Sequence, residues 1–89
     1  MMMTGDVLIL DVRTQAEFED GHIENAILLP YDEIEERAKD VIGSVHRTVL
    51  VYCRSGRRSA EAARMLSEMG FLSVYDFGGI LDWEYGVVR

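Results

Sequence analysis

Apolar positions along this 89-residue chain follow two patterns, continuous runs and recurrences every three or four residues, and the two alternate. Val7-Leu8-Ile9-Leu10 is a continuous run of strand length, which suits a strand buried on both faces of a parallel sheet, with Asp11 at its carboxyl end. Thr14-Gln15-Ala16-Glu17 has the spacing of a capping box, and Gly21 offers a stop for the short helix that follows. A second run, Ala26 to Leu29, ends at Pro30. Beyond it Asp32 and Glu35 repeat the capping-box spacing with Asp as the cap, and Ile34, Ala38 and Val41 mark one helical face. Acids crowd the first turn of this second helix, Arg37 and Lys39 come later, and Gly43 can close it.

Thr48-Val49-Leu50-Val51-Tyr52 is the clearest strand, rich in branched and aromatic residues, and it ends abruptly at Cys53-Arg54-Ser55-Gly56. From about Arg58 to Met69 the apolar residues Ala62, Met65, Leu66 and Met69 recur at helical spacing, and Gly70 supplies the stop. Ser73 to Phe77 reads as a fourth strand, Gly78-Gly79 as a tight turn, and Ile80 to Tyr85 as a short final helix or turn around Trp83. Strands alternating with helices predict an α/β fold with a mainly parallel sheet, whose ligand site lies at the carboxyl ends of strands. Cys53 falls at such an end.

The length suits one domain with one modest core, so residues 1–89 read as a single domain. A formal charge of -7 argues against a general nucleic-acid binder, which needs a basic face. Against that acidic background Arg54, Arg57 and Arg58 gather three of the nine basic residues into five positions. The single cysteine has no partner for an internal disulfide, which fits a reducing compartment. No run is long and apolar enough to span a bilayer, and Met1, Met2 and Met3 lack the regions of a signal peptide, so the expected location is cytoplasmic.

Cys53-Arg54-Ser55-Gly56-Arg57-Arg58-Ser59 joins a buried strand to a helix, so backbone N–H groups can line a small anion-attracting concavity, with Gly56 permitting the curl. Helix-end charge and neighbouring guanidinium groups favour a thiolate over a thiol. A free cysteine is more often a buried, inert hydrophobe, but the order of strand, cysteine, basic loop and helix reverses that reading in favour of a reactive thiol in an anion pocket.

With this loop, the chain closely resembles the rhodanese family. The resemblance runs from about Leu8 to Trp83 through Asp11-Val12-Arg13, Glu17-Phe18, Gly21-His22-Ile23, Asn25-Ala26, Pro30, the Cys53 loop and Gly78-Gly79 with Trp83. It implies a rhodanese-like three-layer fold, with a mainly parallel sheet of four to five strands and helices on both faces. It also implies transfer of sulfane sulfur from thiosulfate or a similar donor to a thiol, cyanide or protein acceptor through a persulfide on Cys53, with no cofactor. Arg54, Ser55, Gly56, Arg57, Arg58 and Ser59 would form the anion-binding loop, Arg58 being the first choice to orient the donor. Family members usually begin with an extra strand and helix, where only Met1 to Asp6 stand here, so the expectation is a shorter sheet or an edge supplied by another chain.

Outside the loop the candidate chemistry is thinner. Asp11 and Arg13 are structural or rim residues, and Arg13 and Glu17, four apart, can pair. His22 reads as a buried, hydrogen-bonded residue rather than a base, and His46 sits in a loop; neither belongs to a metal-ligand cluster, so no metal is expected. Phe77 and Trp83 read as core or pocket wall, and Asp32 to Glu36 as a solvated helix start. Two rivals remain: a phosphatase or arsenate reductase, and a non-enzymatic sulfur carrier or regulatory module. Such phosphatases place an arginine six positions after the cysteine, whereas Arg58 stands at plus five and Ser59 at plus six.

Overall fold

The computed structural model describes residues 7–54, 56–80 and 87–88. Strand β1 (Val7–Asp11) leads through helix α1 (Gln15–Asp20) to the two-residue strand β2 (Ile27–Leu28), and a 3-10 turn at Tyr31–Glu33 opens α2 (Ile34–Ile42). Then come β3 (Thr48–Cys53), α3 (Arg57–Glu68) and β4 (Ser73–Gly79). All pairings are parallel, in the order β2-β1-β3-β4. The chain therefore steps outward from β1 to β2, then returns across β1 to β3. The carboxyl ends of β1 and β3 flank the topological switch point, where open α/β sheets bind ligands. Asp11 pairs with Tyr52 there, and Cys53 is the next residue.

One face of the sheet carries the core. Leu8 and Leu10 of β1 and Val49 and Val51 of β3 pack with Ile34, Ala38 and Ile42 of α2 and with Ala62 and Leu66 of α3. Helices α2 and α3 touch each other on this face, and Met65 and Met69 close its margin. Right-handed crossover sends the opposite-running β1–β2 connection, with α1, past the other face. Val7, Ile9 and Leu50 on that side are only half-buried. The expected burial of β1 on both faces is thus corrected: α1 has six residues, none of them buried, so it covers little. Among the described residues no helix is long and apolar enough to cross a membrane.

Local chemistry explains several boundaries. Thr14 caps α1 with a complete capping box, its Oγ1 accepting from the Glu17 N–H at 3.2 Å while the Glu17 Oε1 accepts from the Thr14 N–H at 3.0 Å. Gly21 and Gly43 close α1 and α2. The Asp32 cap is not formed: the chain leaves Pro30 directly into the 3-10 turn, so the helix proper starts after Glu33, and no side chain caps it. Nor is Gly78-Gly79 a tight turn. Both residues lie in β4, where a register shift between Val51 and Cys53 brings Gly79 opposite Cys53. Phe77 is not a core residue either; it is 38% exposed on this strand and rests its ring 5.5 Å from that of Tyr52. Met1 to Asp6, Ser55, Trp83 and most of the expected Ile80 to Tyr85 helix lie outside the described residues.

Candidate active site

The end of β3 is held by a buried polar network. Asp11 is fully buried, and the Arg13 side chain folds back on it: Nε donates to Oδ1 at 2.9 Å and Nη2 to Oδ2 at 2.6 Å. Arg13 Nη2 also donates to the Gly21 carbonyl at 2.7 Å. The Tyr52 hydroxyl donates to Asp11 Oδ2 at 2.7 Å and accepts from the Ile23 N–H at 3.0 Å. Burial disfavours the Arg13 charge, but the Asp11 hydrogen bonds and charge outweigh it, so its pKa is raised. Burial likewise pushes the Tyr52 phenol well above its ordinary value. A buried ion pair whose lone pairs are all satisfied fixes geometry more than it adds stability. Here it fixes the residue that precedes Cys53. Asp11 and Arg13 do not line the adjacent cleft, and the expected Arg13–Glu17 pair does not form, because Arg13 is committed to Asp11 and Glu17 to Arg58.

Cys53 is 1% exposed, and its Sγ accepts the Gly56 N–H at 2.9 Å. This contact requires the loop to turn back within three residues. Gly56 does so at φ 100°, in the left-handed region that side chains disfavour. A Cβ there would also stand 3.5 Å from the Gly78 Cα, so the loop leans directly on β4. Ser59, fully buried one turn into α3, places its Oγ 3.6 Å from Cys53 Sγ. That Oγ lies 2.6 Å from Asp76 Oδ1, 3.1 Å from the Gly56 carbonyl and 3.2 Å from the Gly78 carbonyl.

Beside the loop opens a cleft of about 640 Å³ lined by Glu17, Tyr31, Arg54, Arg57, Arg58 and Glu61. The Arg58 guanidinium grips Glu17 with two bonds of 3.0 Å each. That grip holds the Glu17 carboxyl down at about 2, and it raises the Arg58 pKa, to which the nearby Cys53 adds. Glu61 is engaged by Arg64. Among the described residues Arg54 and Arg57 have no carboxylate partner, so they leave the cleft mouth with uncompensated positive charge. The structure therefore brings Cys53, Gly56 and Ser59 together, sets Arg54, Arg57 and Arg58 along the cleft, and keeps Asp11 and Arg13 beneath the sheet end. His22 stands apart: its Nδ1 lies 2.8 Å from the Phe18 carbonyl, which can only accept, and its ring stacks on Phe18 at 3.7 Å.

Tyr52, Asp76 and the Glu17–Arg58 grip were not foreseen. Tyr52 meets Asp11 across 41 positions and Asp76 meets Ser59 across 17, and such contacts leave no periodic trace in a sequence. The one available signal for Asp76 was an acid in the middle of a strand, set between Val74-Tyr75 and Phe77.

A cysteine at the switch point of a parallel sheet, cradled by a glycine loop at the head of a helix and flanked by arginines, defines a class of nucleophilic anion-handling site. The rhodanese-like domain family matches residues 1–85, and the chain belongs to that family. It is 38% identical over 73 residues to the thiosulfate sulfurtransferase PspE of Escherichia coli, covering 82% of this chain and 70% of that one. It is 41% identical over 81 residues to a sulfurtransferase of Allochromatium vinosum, covering 90% and 74%. A solved rhodanese with anions from E. coli superposes with a TM-score of 0.87 at 35% identity, covering 93% of this chain and 98% of that one. The protein is a rhodanese enzyme, and its chemistry is sulfur transfer.

Proposed function

We propose that the protein moves sulfane sulfur from thiosulfate, or a donor of like charge and shape, to a thiophilic acceptor through a persulfide on Cys53. The Cys53 thiolate attacks the outer sulfur of thiosulfate. The sulfur–sulfur bond of the donor breaks, its electron pair leaves with sulfite, and a new sulfur–sulfur bond forms on Sγ. A second nucleophile, cyanide or a small-molecule or protein thiol, then attacks the terminal sulfur and returns Cys53 as thiolate.

The observation that carries this reading is the Gly56 N–H already donating to Cys53 Sγ at the head of α3. No side chain caps that helix and no acid occupies its first turn, so its partial positive charge stays available to an anion. Arg54 and Arg57 supply the remaining attraction for the sulfonate group. Arg58, the first choice from the sequence, is better suited to bracing the loop through Glu17, because its charge is already matched. Only three residues separate Cys53 from α3. So tight a curl favours a single sulfur atom over a phosphoryl group, which argues against the phosphatase rival. A lone cysteine, which has no resolving partner in the chain, suits a cytoplasmic, reducing setting.

Steady-state kinetics with thiosulfate and cyanide test the proposal. Parallel double-reciprocal lines are expected, with activity abolished in Cys53→Ser. Intersecting lines with Cys53→Ser still active, or phosphomonoester hydrolysis faster than sulfur transfer, would overturn it.

A further inference from the structure

Ser59 and Asp76 carry an inference about the protonation of Cys53. A serine hydroxyl has one hydrogen, and three acceptors surround that of Ser59: Asp76 Oδ1 at 2.6 Å, the Gly56 carbonyl at 3.1 Å and the Gly78 carbonyl at 3.2 Å. Whichever takes it, the hydrogen points away from Cys53. The Ser59 oxygen therefore turns a lone pair toward Sγ, 3.6 Å off, and can accept from a thiol but not donate to a thiolate. Asp76 is itself anchored, Oδ1 also accepting the Gly78 N–H at 2.9 Å. Its charge fixes this direction more firmly than the two carbonyls do.

We infer that Ser59 and Asp76 form a positioning pair that disfavours negative charge on Cys53 Sγ itself and so raises the midpoint at which the thiol ionises. Among the described residues, the groups facing Cys53 then divide. The Gly56 N–H, Arg58 of α3 and the loop cations Arg54 and Arg57 favour the anion. The Ser59 lone pair, backed by Asp76 of β4, opposes it. Glu17 of α1 acts only through Arg58, while the Asp11–Arg13 pair at the end of β1 is internally neutralised. The opposition is specific to the inner sulfur. In a persulfide the charge moves to the outer sulfur and Sγ becomes neutral, so the Ser59 lone pair ceases to matter. The pair thus weights the site toward the sulfur-loaded state over the bare thiolate. That last consequence rests on the persulfide proposed above, whereas the effect on the resting thiol does not.

The test is an NMR titration of the protein made with isotope-labelled cysteine, following the Cβ signal. One cysteine gives one resonance. Asp76→Asn keeps both hydrogen bonds through its amide oxygen and removes only the charge, and Ser59→Ala removes the lone pair. The thiol midpoint is expected to fall in both, by about half a unit or more. A merely structural role would alter melting temperature without moving the midpoint. An unmoved or raised midpoint in Asp76→Asn overturns the inference, and that variant decides alone where Ser59→Ala fails to fold. Failure of sulfur transfer would leave this titration readable, so the two proposals fail separately.

Discussion

Replacing Glu17 with Gln isolates the charge that braces the Cys53 loop. The amide oxygen of Gln keeps the acceptor used by the Thr14 N–H, so the α1 cap survives while the ion pair with Arg58 is lost. The Glu17 carboxyl sits at about 2 rather than 4.5, held down chiefly by Arg58. A shift of that size has a ceiling of about 3 kcal/mol by linkage. Both side chains are 28% exposed, so solvent screening reduces the expected contribution to about 1–2 kcal/mol. The sign follows from the depression: the stabilisation is complete above the unfolded value near 4.5 and is lost as pH falls through about 2. Urea denaturation of wild type and Glu17→Gln in parallel cancels the acid sensitivity of every other carboxylate. At neutral pH the variant should be about 1–2 kcal/mol less stable, or roughly 5–15 °C lower in melting temperature for a domain of this size. That gap should close between about pH 5 and pH 2. Equal stabilities at neutral pH, or a gap that persists undiminished into acid, would show that the Glu17–Arg58 ion pair does not brace the loop.

Two further substitutions probe the rest of the site. Tyr52→Phe removes a donor to Asp11 and strands the buried Ile23 N–H, so a loss of about 2–3 kcal/mol in urea denaturation is expected; a near-neutral effect would contradict the bracing role of the network. Arg54→Gln combined with Arg57→Gln removes the uncompensated cations, so the thiosulfate KM should rise about tenfold and lose most of its salt dependence, with kcat changed less. An unchanged KM would assign donor binding elsewhere.

Cys53, the loop glycine, the helix that follows and the Thr14 cap were all legible in the sequence, because each is written in consecutive or regularly spaced residues. The core faces of α2 and α3 were legible for the same reason. What escaped was set by contacts between distant segments. Asp32 had the spacing of a cap, yet the route out of Pro30 placed a 3-10 turn where that cap would have stood. Gly78-Gly79 looked like a turn, but the pair continues β4, and the same glycines let the Cys53 loop press against that strand. Arg58 stood out because it begins the helix, but its pairing with Glu17, 41 positions away, left no trace in the spacing. Spacing within one element was a good guide to that element, and a poor one to which charges would be left over once the elements met.

In the proposed cycle Cys53 carries the sulfur. Intact mass spectrometry of the protein after thiosulfate treatment addresses it directly, since a single cysteine leaves no ambiguity of site. The expected result is a gain of one sulfur atom that is lost on adding cyanide and absent in Cys53→Ser. A wild-type protein whose mass does not change, or a Cys53→Ser variant that gains the same sulfur, would contradict it.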